Sequence, residues 1–479
     1  MTFDNLMIGG RWRPATEGQT IPVFAPSTGQ QISSIPRGGE ADVGAAVRAA
    51  RAAFEGAWGA MPAFERGRLL SRFAARILDH AEELAELEAS DTGKPMTLAR
   101  NDIKACARYF EFYGGAADKI HGDTIPYLSG YQVMVLREAR GVTGHIIPWN
   151  YPAQMFGRTL APALAAGNAT VLKPAEEACL SSFRLVEIAM DVGFPEGAIN
   201  LVSGLGSEAG AALTAHPGID LISFTGSPAV GTLVQQAAAV NHMPCVLELG
   251  GKSPQIVFDD ADIEVASKAI TAGIIQNAGQ TCSAGSRVLI HQRVYDKVLA
   301  VLADRFSRVV AGPHELDLDC GPVISAKQQG RVENYLRDGE CDSVTVAAQG
   351  QLHPRAQDGG YFVTPTLFSN VAPAHRLAQE EIFGPVLVAL PFDDEADAVR
   401  IANDTPYGLM AGIWTRDGRR QLRLAKAVRA GQIYVNGFGA GGGIELPFGG
   451  FKRSGHGREK GFEALREFTV AKTVILNHG

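Results

Sequence analysis

The sequence has few cysteines and no long apolar run, and both features limit the kind of protein it encodes. Its six cysteines are dispersed over 479 residues and form no CxxC pair, which argues against a disulfide framework or a zinc site. Apolar stretches such as Leu160 to Ala166 fall far short of the ~20 residues that cross a bilayer. Residues 1–13 carry no secretion signal. We therefore expect a cytoplasmic protein with no membrane partner.

Basic runs and the motifs of several enzyme classes are missing as well. The net charge is −7, and the longest basic runs are pairs such as Arg419-Arg420, so nucleic acid is not an expected partner. The sequence has no HExxH motif and no GxSxG motif. Gly251-Lys252-Ser253 lacks the preceding glycine that a phosphate-binding loop requires, because position 246 is Val. A metal site is not indicated.

Short apolar strands alternate with amphipathic helices after a helical opening section at 40–90. This alternation predicts two doubly wound α/β domains of comparable size. A hairpin pattern at 124–137 and a β-branched segment at 469–476 predict a further small β unit. The strands predicted for the two domains are Val142–Ile147, Ala169–Leu172, Ala198–Val202, Leu221–Thr225 and Cys245–Leu247, then Gln255–Phe258, Val386–Leu390, Gly412–Thr415 and Gln432–Val435.

A cysteine and a glutamate give the first chemical signal. Cys282 lies in a glycine-containing loop after the predicted helix Ile263–Gln276, and Glu248 ends a predicted strand. Ligands of open α/β sheets bind beyond the carboxyl ends of the strands, where this carboxylate would lie. The pair is suited to act as nucleophile and general base. Taken singly, the cysteine is more typical of a small buried hydrophobic residue, and the glutamate is more typical of a solvated acid.

Three more polar segments follow predicted strands. Asn150, flanked by rings and prolines, can donate a hydrogen bond to an oxyanion, although it is also a simple turn former. Lys173 and Glu176 stand together at the end of another strand. Gly226-Ser227 opens a helix whose N-terminus can face a phosphate, which is weak evidence by itself because many strand-to-helix turns contain glycine.

Together these segments resemble the aldehyde dehydrogenase superfamily over nearly the whole chain. The ordered motifs are PWN at 148–150, KPAE at 173–176, FTGS at 224–227, ELGGK at 248–252, GQTC at 279–282 and EIFGP at 381–385. The resemblance implies NAD as cofactor, a small-molecule aldehyde as substrate, and a homodimer or homotetramer. It also implies an NAD-binding domain (1–117 and 139–250), a catalytic domain (251–452) and oligomerisation segments (118–138 and 453–479).

The resemblance further assigns roles to individual residues. Cys282 is the implied nucleophile, Glu248 the base that activates water, and Asn150, with the backbone N–H of Cys282, the oxyanion donor. A preference for NAD over NADP is expected because the carboxylate of Glu176 would repel a 2′-phosphate, an effect that Lys173 partly offsets. The implied NAD contacts are Ile147, Trp149, Lys173, Glu176, Gly206, Gly210, Gly226, Ser227, Leu249, Gly250, Glu381 and Phe383.

Two other functions compete with hydrolytic aldehyde oxidation. One is a CoA-acylating dehydrogenase, in which a thiol takes the acyl group; the presence of Glu248 favours water instead. The other is a non-enzymatic binding protein on the same fold, since fold does not prove function. The filled catalytic positions favour an enzyme.

Tyr151, Arg158 and Phe448 are the candidate substrate contacts. Arg158 lies two helical turns after Asn150 and predicts a bulky aldehyde that is aromatic or carries a distal carboxylate. Succinic semialdehyde dehydrogenases look similar at this arginine but usually differ at Gln276 and Ala284, which argues against that substrate. The glycine-rich segment 437–443 is expected to leave room for a larger substrate. The alternative, in which Arg158 pairs with a structural carboxylate, stays open.

Overall fold

The secondary structure follows the apolar periodicity of the sequence. The computed structural model describes residues 3–341, 344–439 and 443–479. In chain order, its strands are β1 (Leu6–Ile8), β2 (Arg11–Arg13), β3 (Thr20–Phe24), β4 (Gln31–Pro36), β5 (Asp123–Ile125), β6 (Tyr131–Ala139), β7 (Val142–Ile146), β8 (Ala169–Lys173), β9 (Ile199–Leu201), β10 (Leu221–Thr225), β11 (Cys245–Glu248), β12 (Pro254–Val257), β13 (Arg287–His291), β14 (Val310–Ala311), β15 (Thr345–Gln349), β16 (Gln351–Leu352), β17 (Thr366–Ser369), β18 (Val386–Phe392), β19 (Met410–Trp414), β20 (Gln432–Val435), β21 (Gly455–His456) and β22 (Thr469–Asn477).

The α-helices lie between these strands. They are α1 (Glu40–Glu55), α2 (Ala63–Asp79), α3 (Ala81–Thr92), α4 (Met96–Ala116), α5 (Pro152–Ala165), α6 (Leu180–Val192), α7 (Ala211–Ala215), α8 (Pro228–Val240), α9 (Ile263–Ile275), α10 (Tyr295–Ser307), α11 (Ala326–Cys341), α12 (Arg376–Gln379), α13 (Glu395–Asn403), α14 (Gly418–Ala427) and α15 (Gly461–Glu467).

The first sheet has the strand order β2-β1-β9-β8-β7-β10-β11-β21. Its five strands from β9 to β11 are parallel, and β1 and β21 are antiparallel to their neighbours. After β7 the chain extends the sheet on one side with β8 and β9, and then on the other side with β10 and β11. Open α/β sheets bind their ligands at such a reversal, beyond the carboxyl ends of the strands. The segments after β7 and β10 are therefore well placed to form a site.

The second sheet has the order β15-β17-β18-β13-β12-β19-β20, in which only β15 is antiparallel to its neighbour. On β13, Val288 and Ile290 pack into one apolar cluster and Leu289 into another. Both faces of the strand are thus buried, as in a parallel sheet covered by helices. The two sheets confirm the predicted α/β class.

A third, antiparallel sheet joins β22, β6 and β5. The terminal strand pairs with β6 from Thr469 opposite Ala139 to Asn477 opposite Tyr131. The hairpin pattern and the terminal β-branched segment thus meet in one small sheet. Within the predicted segment 453–479, however, β21 pairs with β11 of the first sheet. The division into domains stays a prediction.

Most predicted strands differ from the observed ones by one or two residues at their ends. The predicted helix Ile263–Gln276 ends at Ile275, because Gln276 has an extended ψ of 128°. The strands β3, β4 and β13 were not predicted; β3 is largely exposed, β4 is buried mainly in its second half and β13 is buried. Short exposed strands carry little of the periodicity on which a sequence prediction depends.

A buried cluster of charges connects α3, α4 and α5. Lys94 Nζ donates to Glu88 Oε1 at 3.1 Å, to Asp102 Oδ2 at 2.6 Å and to the backbone O of Asn150 at 3.0 Å. The other oxygen of Glu88 accepts from the backbone N of Ala153 at 3.1 Å. Burial lowers the pKa of Lys94, but the two carboxylates more than offset this, and its pKa lies above the usual value. The cluster thus fixes the backbone on both sides of Tyr151, where α5 begins.

We predict that Lys94→Met destabilises the protein strongly, because it leaves two buried carboxylates without their cation. The expected loss is about 3–5 kcal/mol in the free energy of unfolding, measured by urea titration. Arg100→Met is the matched control, since Arg100 on α4 pairs with Glu82 at the exposed surface and should change stability little. Equal stability of the two variants would contradict the structural role of Lys94.

Candidate active site

A cavity of about 1220 Å³ opens beyond the carboxyl ends of the first sheet. It is lined by segments that follow β7, β10 and β11 and by residues from the second half of the chain. The predicted site residues that line it are Trp149, Asn150, Tyr151, Arg158, Gly226, Ser227, Gly250, Cys282, Glu381, Phe383 and Phe448. The remaining predicted residues, Ile147, Lys173, Glu176, Gly206, Gly210, Glu248 and Leu249, lie outside this lining.

Cys282 lies in a loop with an unusual backbone. Residues 277–279 have φ values of 50°, 53° and 70°, all in the left-handed region. A Cβ at Gly279 would lie 2.0 Å from the carbonyl O of Gly384, so only glycine fits there. A Cβ at Gly251 would lie 2.4 Å from the carbonyl O of Cys282. The loop therefore packs against backbone on two sides, which fixes the position of the thiol.

Asn150 is joined to this loop by hydrogen bonds in both directions. Its Nδ2 donates to the backbone O of Gln280 at 2.8 Å, two residues before Cys282. Its own backbone O accepts from Asn277 Nδ2 at 2.9 Å. An amide NH₂ has two hydrogens, so one remains for a ligand in the cavity. Asn150 is thus placed beside Cys282 and can stabilise a developing oxyanion.

The thiol of Cys282 is partly exposed at the cavity wall. The surrounding protein raises its pKa to about 11 through burial, an effect that Arg158 opposes and that Glu381 and Glu248 reinforce. At neutral pH the group is therefore a thiol, and a base must remove its proton before it can act as a nucleophile.

Glu248 is buried at the end of β11, which is the position the sequence predicts. Within the described part of the chain, neither of its carboxylate oxygens has a hydrogen-bond partner. Burial, followed by the nearby carboxylate of Glu459, raises the pKa of Glu248 well above its usual value, whereas Arg158 lowers it. A carboxylate in this environment holds a proton more tightly than an exposed one, which makes it a stronger base.

Arg158 points from α5 into a buried charge cluster. Its Nε forms an ion pair with Glu459 Oε2, and its Nη2 lies 3.8 Å from Glu248 Oε2. Its guanidinium carbon lies 4.1 Å from the ring centroid of Phe448, which Lys460 Nζ also approaches at 5.1 Å. Arg158 thus makes the structural ion pair that the sequence left open as an alternative. Sequence reasoning missed Glu459 and Lys460, because they lie about 300 positions from Arg158 in an unremarkable charged segment.

One predicted group of cofactor contacts lies past the ends of β8 and β9. Lys173 Nζ pairs with Glu176 Oε2 at 2.5 Å, and Glu176 Oε1 accepts from the backbone N of Gly206 at 3.2 Å. Gly210 is buried in the turn that Gly206 begins. The end of β8 thus presents a pair of opposite charges, and the turn after β9 holds the carboxylate in place.

A second group lies at the other side of the first sheet. Ser227 caps α8, and Pro228 begins it, so the N-terminus of this 13-residue helix faces the cavity edge. A Cβ at Gly250 would lie 2.2 Å from Glu381 Oε2, and the N–H of Gly251 donates to Glu381 Oε1 at 3.0 Å. The rings of Trp149 and Phe383 meet edge to face at 5.4 Å. Ile147 and Leu249 are buried.

Comparison with known proteins identifies the family. The family model described as "Aldehyde dehydrogenase family" matches residues 12–474. The chain belongs to the aldehyde dehydrogenase family. Benzaldehyde dehydrogenase, mitochondrial, of Antirrhinum majus is 41% identical over 99% of this chain and 89% of its own length.

Solved structures agree with this family and with the fold. A Burkholderia cenocepacia protein described as an aldehyde dehydrogenase is 58% identical, with a TM-score of 0.98 over 99% of this chain and 100% of its own. The NAD⁺ complex of an aldehyde dehydrogenase from Bacillus cereus is 41% identical, with a TM-score of 0.97 over 100% and 97%. The chain is therefore an oxidoreductase that acts on aldehydes. In the described residues, no helix is long and apolar enough to cross a membrane.

Proposed function

We propose that this aldehyde dehydrogenase converts an aldehyde to its carboxylic acid through a thioester on Cys282. The observation that supports this most strongly is that one cavity is lined by the thiol of Cys282, the amide of Asn150 and the predicted nicotinamide contacts Glu381 and Phe383. NAD is the cofactor, as it is in the solved Bacillus cereus complex. When bound, NAD supplies the acceptor for the hydride that the aldehyde carbon loses.

The residues of the chain divide the remaining chemistry. The thiol of Cys282 loses its proton to a base and forms a bond to the carbonyl carbon. The second N–H of Asn150 and the backbone N–H of Cys282 stabilise the resulting oxyanion. Loss of hydride from this adduct restores the C=O bond and leaves a thioester. Glu248 then takes a proton from water, the hydroxide attacks the thioester, and the C–S bond breaks to release the acid.

Glu248 favours hydrolysis over transfer of the acyl group to CoA. Attack by water on a thioester requires a base near neutral pH, whereas a thiolate acceptor does not. Glu248 has the raised pKa that such a base needs. We therefore assign the acid, and not an acyl-CoA, as the product.

The residues of the two cofactor groups fit a dinucleotide. Lys173 and Glu176 would hold the adenosine ribose, with Gly206 and Gly210 beside them. The N-terminus of α8, with Gly226 and Ser227, would face the pyrophosphate. Trp149 would border the adenosine and pyrophosphate, and Glu381 with Phe383 would place the nicotinamide. Ile147, Leu249 and Gly250 would be further cofactor contacts. The close approach of Gly250 to Glu381 supports this, because any larger residue would displace the carboxylate.

We further propose an uncharged aromatic aldehyde as the substrate. Aromatic and apolar side chains, including Met155, Tyr434, Phe438 and Phe448, line the cavity, and the rings of Tyr434 and Phe438 lie 5.8 Å apart. Tyr151 hydroxyl makes a hydrogen bond with Thr281 Oγ1 at 2.7 Å. The name of the Antirrhinum majus relative points to the same substrate class. Of the glycine segment 437–443, residues 440–442 lie outside the described residues.

A homodimer or homotetramer and a cytoplasmic location complete the proposal. Large apolar side chains are exposed on α8 and β22, with Leu233 at 64%, Val240 at 78% and Ile475 at 59%, as on surfaces that pair with another copy. The described cysteines are free, which fits a reducing compartment. The Antirrhinum majus relative is named as mitochondrial, so cell fractionation is the direct test of location.

We predict that Glu248→Gln separates acyl transfer from hydrolysis. Mixing this variant with NAD and aldehyde should give a stoichiometric burst of NADH, followed by turnover that is slower by about 10²–10⁴-fold. Cys282→Ala is the control and should give no burst while it binds NAD normally. Steady turnover of Glu248→Gln at the wild-type rate would remove Glu248 from the base role.

For the cofactor, we predict that Glu176→Gln raises the NADP-to-NAD ratio of kcat/KM by about tenfold, which corresponds to about 1.4 kcal/mol. The variant removes the charge that would repel a 2′-phosphate and leaves Lys173 to attract it. Each preparation serves as its own control, because the measurement is a ratio. An unchanged ratio would show that Glu176 does not contact the ribose.

The substrate proposal predicts a higher kcat/KM for benzaldehyde-type substrates than for short alkanals or carboxylated aldehydes. Phe438→Ala should lower kcat/KM for the aromatic set by about tenfold, which is the scale of a lost ring contact. Phe451→Ala is the matched control, since Phe451 is exposed and does not line the cavity. Equal effects of both variants, or a preference for carboxylated aldehydes, would argue against this substrate class.

A further inference from the structure

Arg158 is a buried cation that lies between two buried carboxylates. Its Nε pairs with Glu459 and its Nη2 lies 3.8 Å from Glu248, while one face of the guanidinium stacks on Phe448 at 4.1 Å. Two nitrogens and one face of the Arg158 guanidinium are thus directed at groups of the protein itself. A substrate carboxylate at this arginine would have to compete with two resident carboxylates.

The position of Glu459 is fixed from the opposite side. Its Oε1 accepts from Ser223 Oγ at 3.3 Å, Ser223 accepts from Thr159 Oγ1 at 2.9 Å, and Thr159 bonds to His145 Nδ1 at 2.6 Å. Its backbone N and O both pair with Phe448, at 2.8 and 2.7 Å. Glu459 cannot move away from Glu248 without loss of these contacts, so the repulsion between the two carboxylates must be balanced in place.

The other charged or titratable groups near Glu248 are Arg458 and Lys460, on the segment before α15, and Cys282. Arg458 donates to the backbone carbonyls of Gly450 and Gly457. Burial, followed by Arg158, lowers the pKa of Lys460 to about 7, so its charge varies across the neutral range. His145, behind Glu459, has its pKa lowered to about 3 by burial and is neutral there. Arg158 carries a permanent charge directly between the two carboxylates.

We propose that Arg158 is a positioning residue that acts as the shared counterion of Glu248 and Glu459 and sets the pH above which Glu248 works as a base. It does not bind a carboxylate of the substrate. The inference rests on the proposed base role of Glu248. This role also explains why the ring of Phe448, which lines the cavity, covers one face of the Arg158 guanidinium.

The test is the acid limb of the kcat–pH profile, measured with a neutral aromatic aldehyde. Glu248 acts only when deprotonated, so a higher pKa moves this limb to higher pH. Arg158→Met removes the cation and should move the limb up by about one pH unit, whereas Glu459→Gln removes the opposing carboxylate and should move it down by about one unit. The double variant should return towards the wild-type limb. Arg158→Lys keeps the charge and should stay close to wild type.

Shifts of the acid limb in opposite directions cannot arise from general damage to the site. Each variant is also combined with Glu248→Gln, and the amplitude of the NADH burst then counts the sites that are still intact. Shifts in the same direction, or none, would overturn the proposal. If Arg158→Met lowers kcat/KM only for carboxylated aldehydes, Arg158 binds substrate and the proposal is wrong. Absence of a burst in Glu248→Gln itself would instead contradict the proposed function. The two failures are therefore distinguishable.

Discussion

The geometry of the site depends on the hydrogen bonds and ion pairs of the Lys94 ammonium group. It holds two carboxylates and the backbone carbonyl of Asn150 in the interior. Asn150 in turn is bonded to the loop of Cys282. The N-terminus of α5 and the Cys282 loop are more than 100 residues apart in sequence. They are thus joined through Asn150 and the buried ammonium group of Lys94. Buried charges are costly unless paired, so each group in this chain of contacts restricts the next.

The cost of burying a charge also affects the catalytic groups themselves. Glu248 and Cys282 both have pKa values above their usual ranges because they are buried. These shifts favour the uncharged form of each group, and they make the pair responsive to small changes in local charge. The neighbours of the site are rigid, with Gly251 and Gly384 on the backbone side and Phe448 on the cavity side. Local charge is therefore the property of the site that can change during the reaction.

Periodicity and ordered motifs predicted the two parallel sheets, the small antiparallel sheet and the segments that form the cavity. They could do so because strand ends and glycine turns are local signals. The ion pair of Arg158 with Glu459 was not predictable, since its partners are far apart in sequence and Glu459 carries no local pattern. The two cations Lys94 and Lys460 look like surface residues by composition, and only tertiary packing shows them to be buried. The conformation of 277–279 was likewise hidden, because Asn277 and Ala278 adopt a backbone that favours glycine.

The antiparallel pairing of β22 with β6 has a consequence for biosynthesis. Lys472 and Glu138, which form an ion pair across these strands, are 334 residues apart. During translation β6 emerges with an open edge, and more than 300 further residues must be made before its partner strand β22 appears. Phe448 and Glu459 also arrive late, so a chain that has not yet reached them lacks one of the two carboxylates that pair with Arg158. Closure of the small sheet and completion of the charge cluster around Arg158 therefore both wait for residues 448–477, so the sheet and the site become complete together.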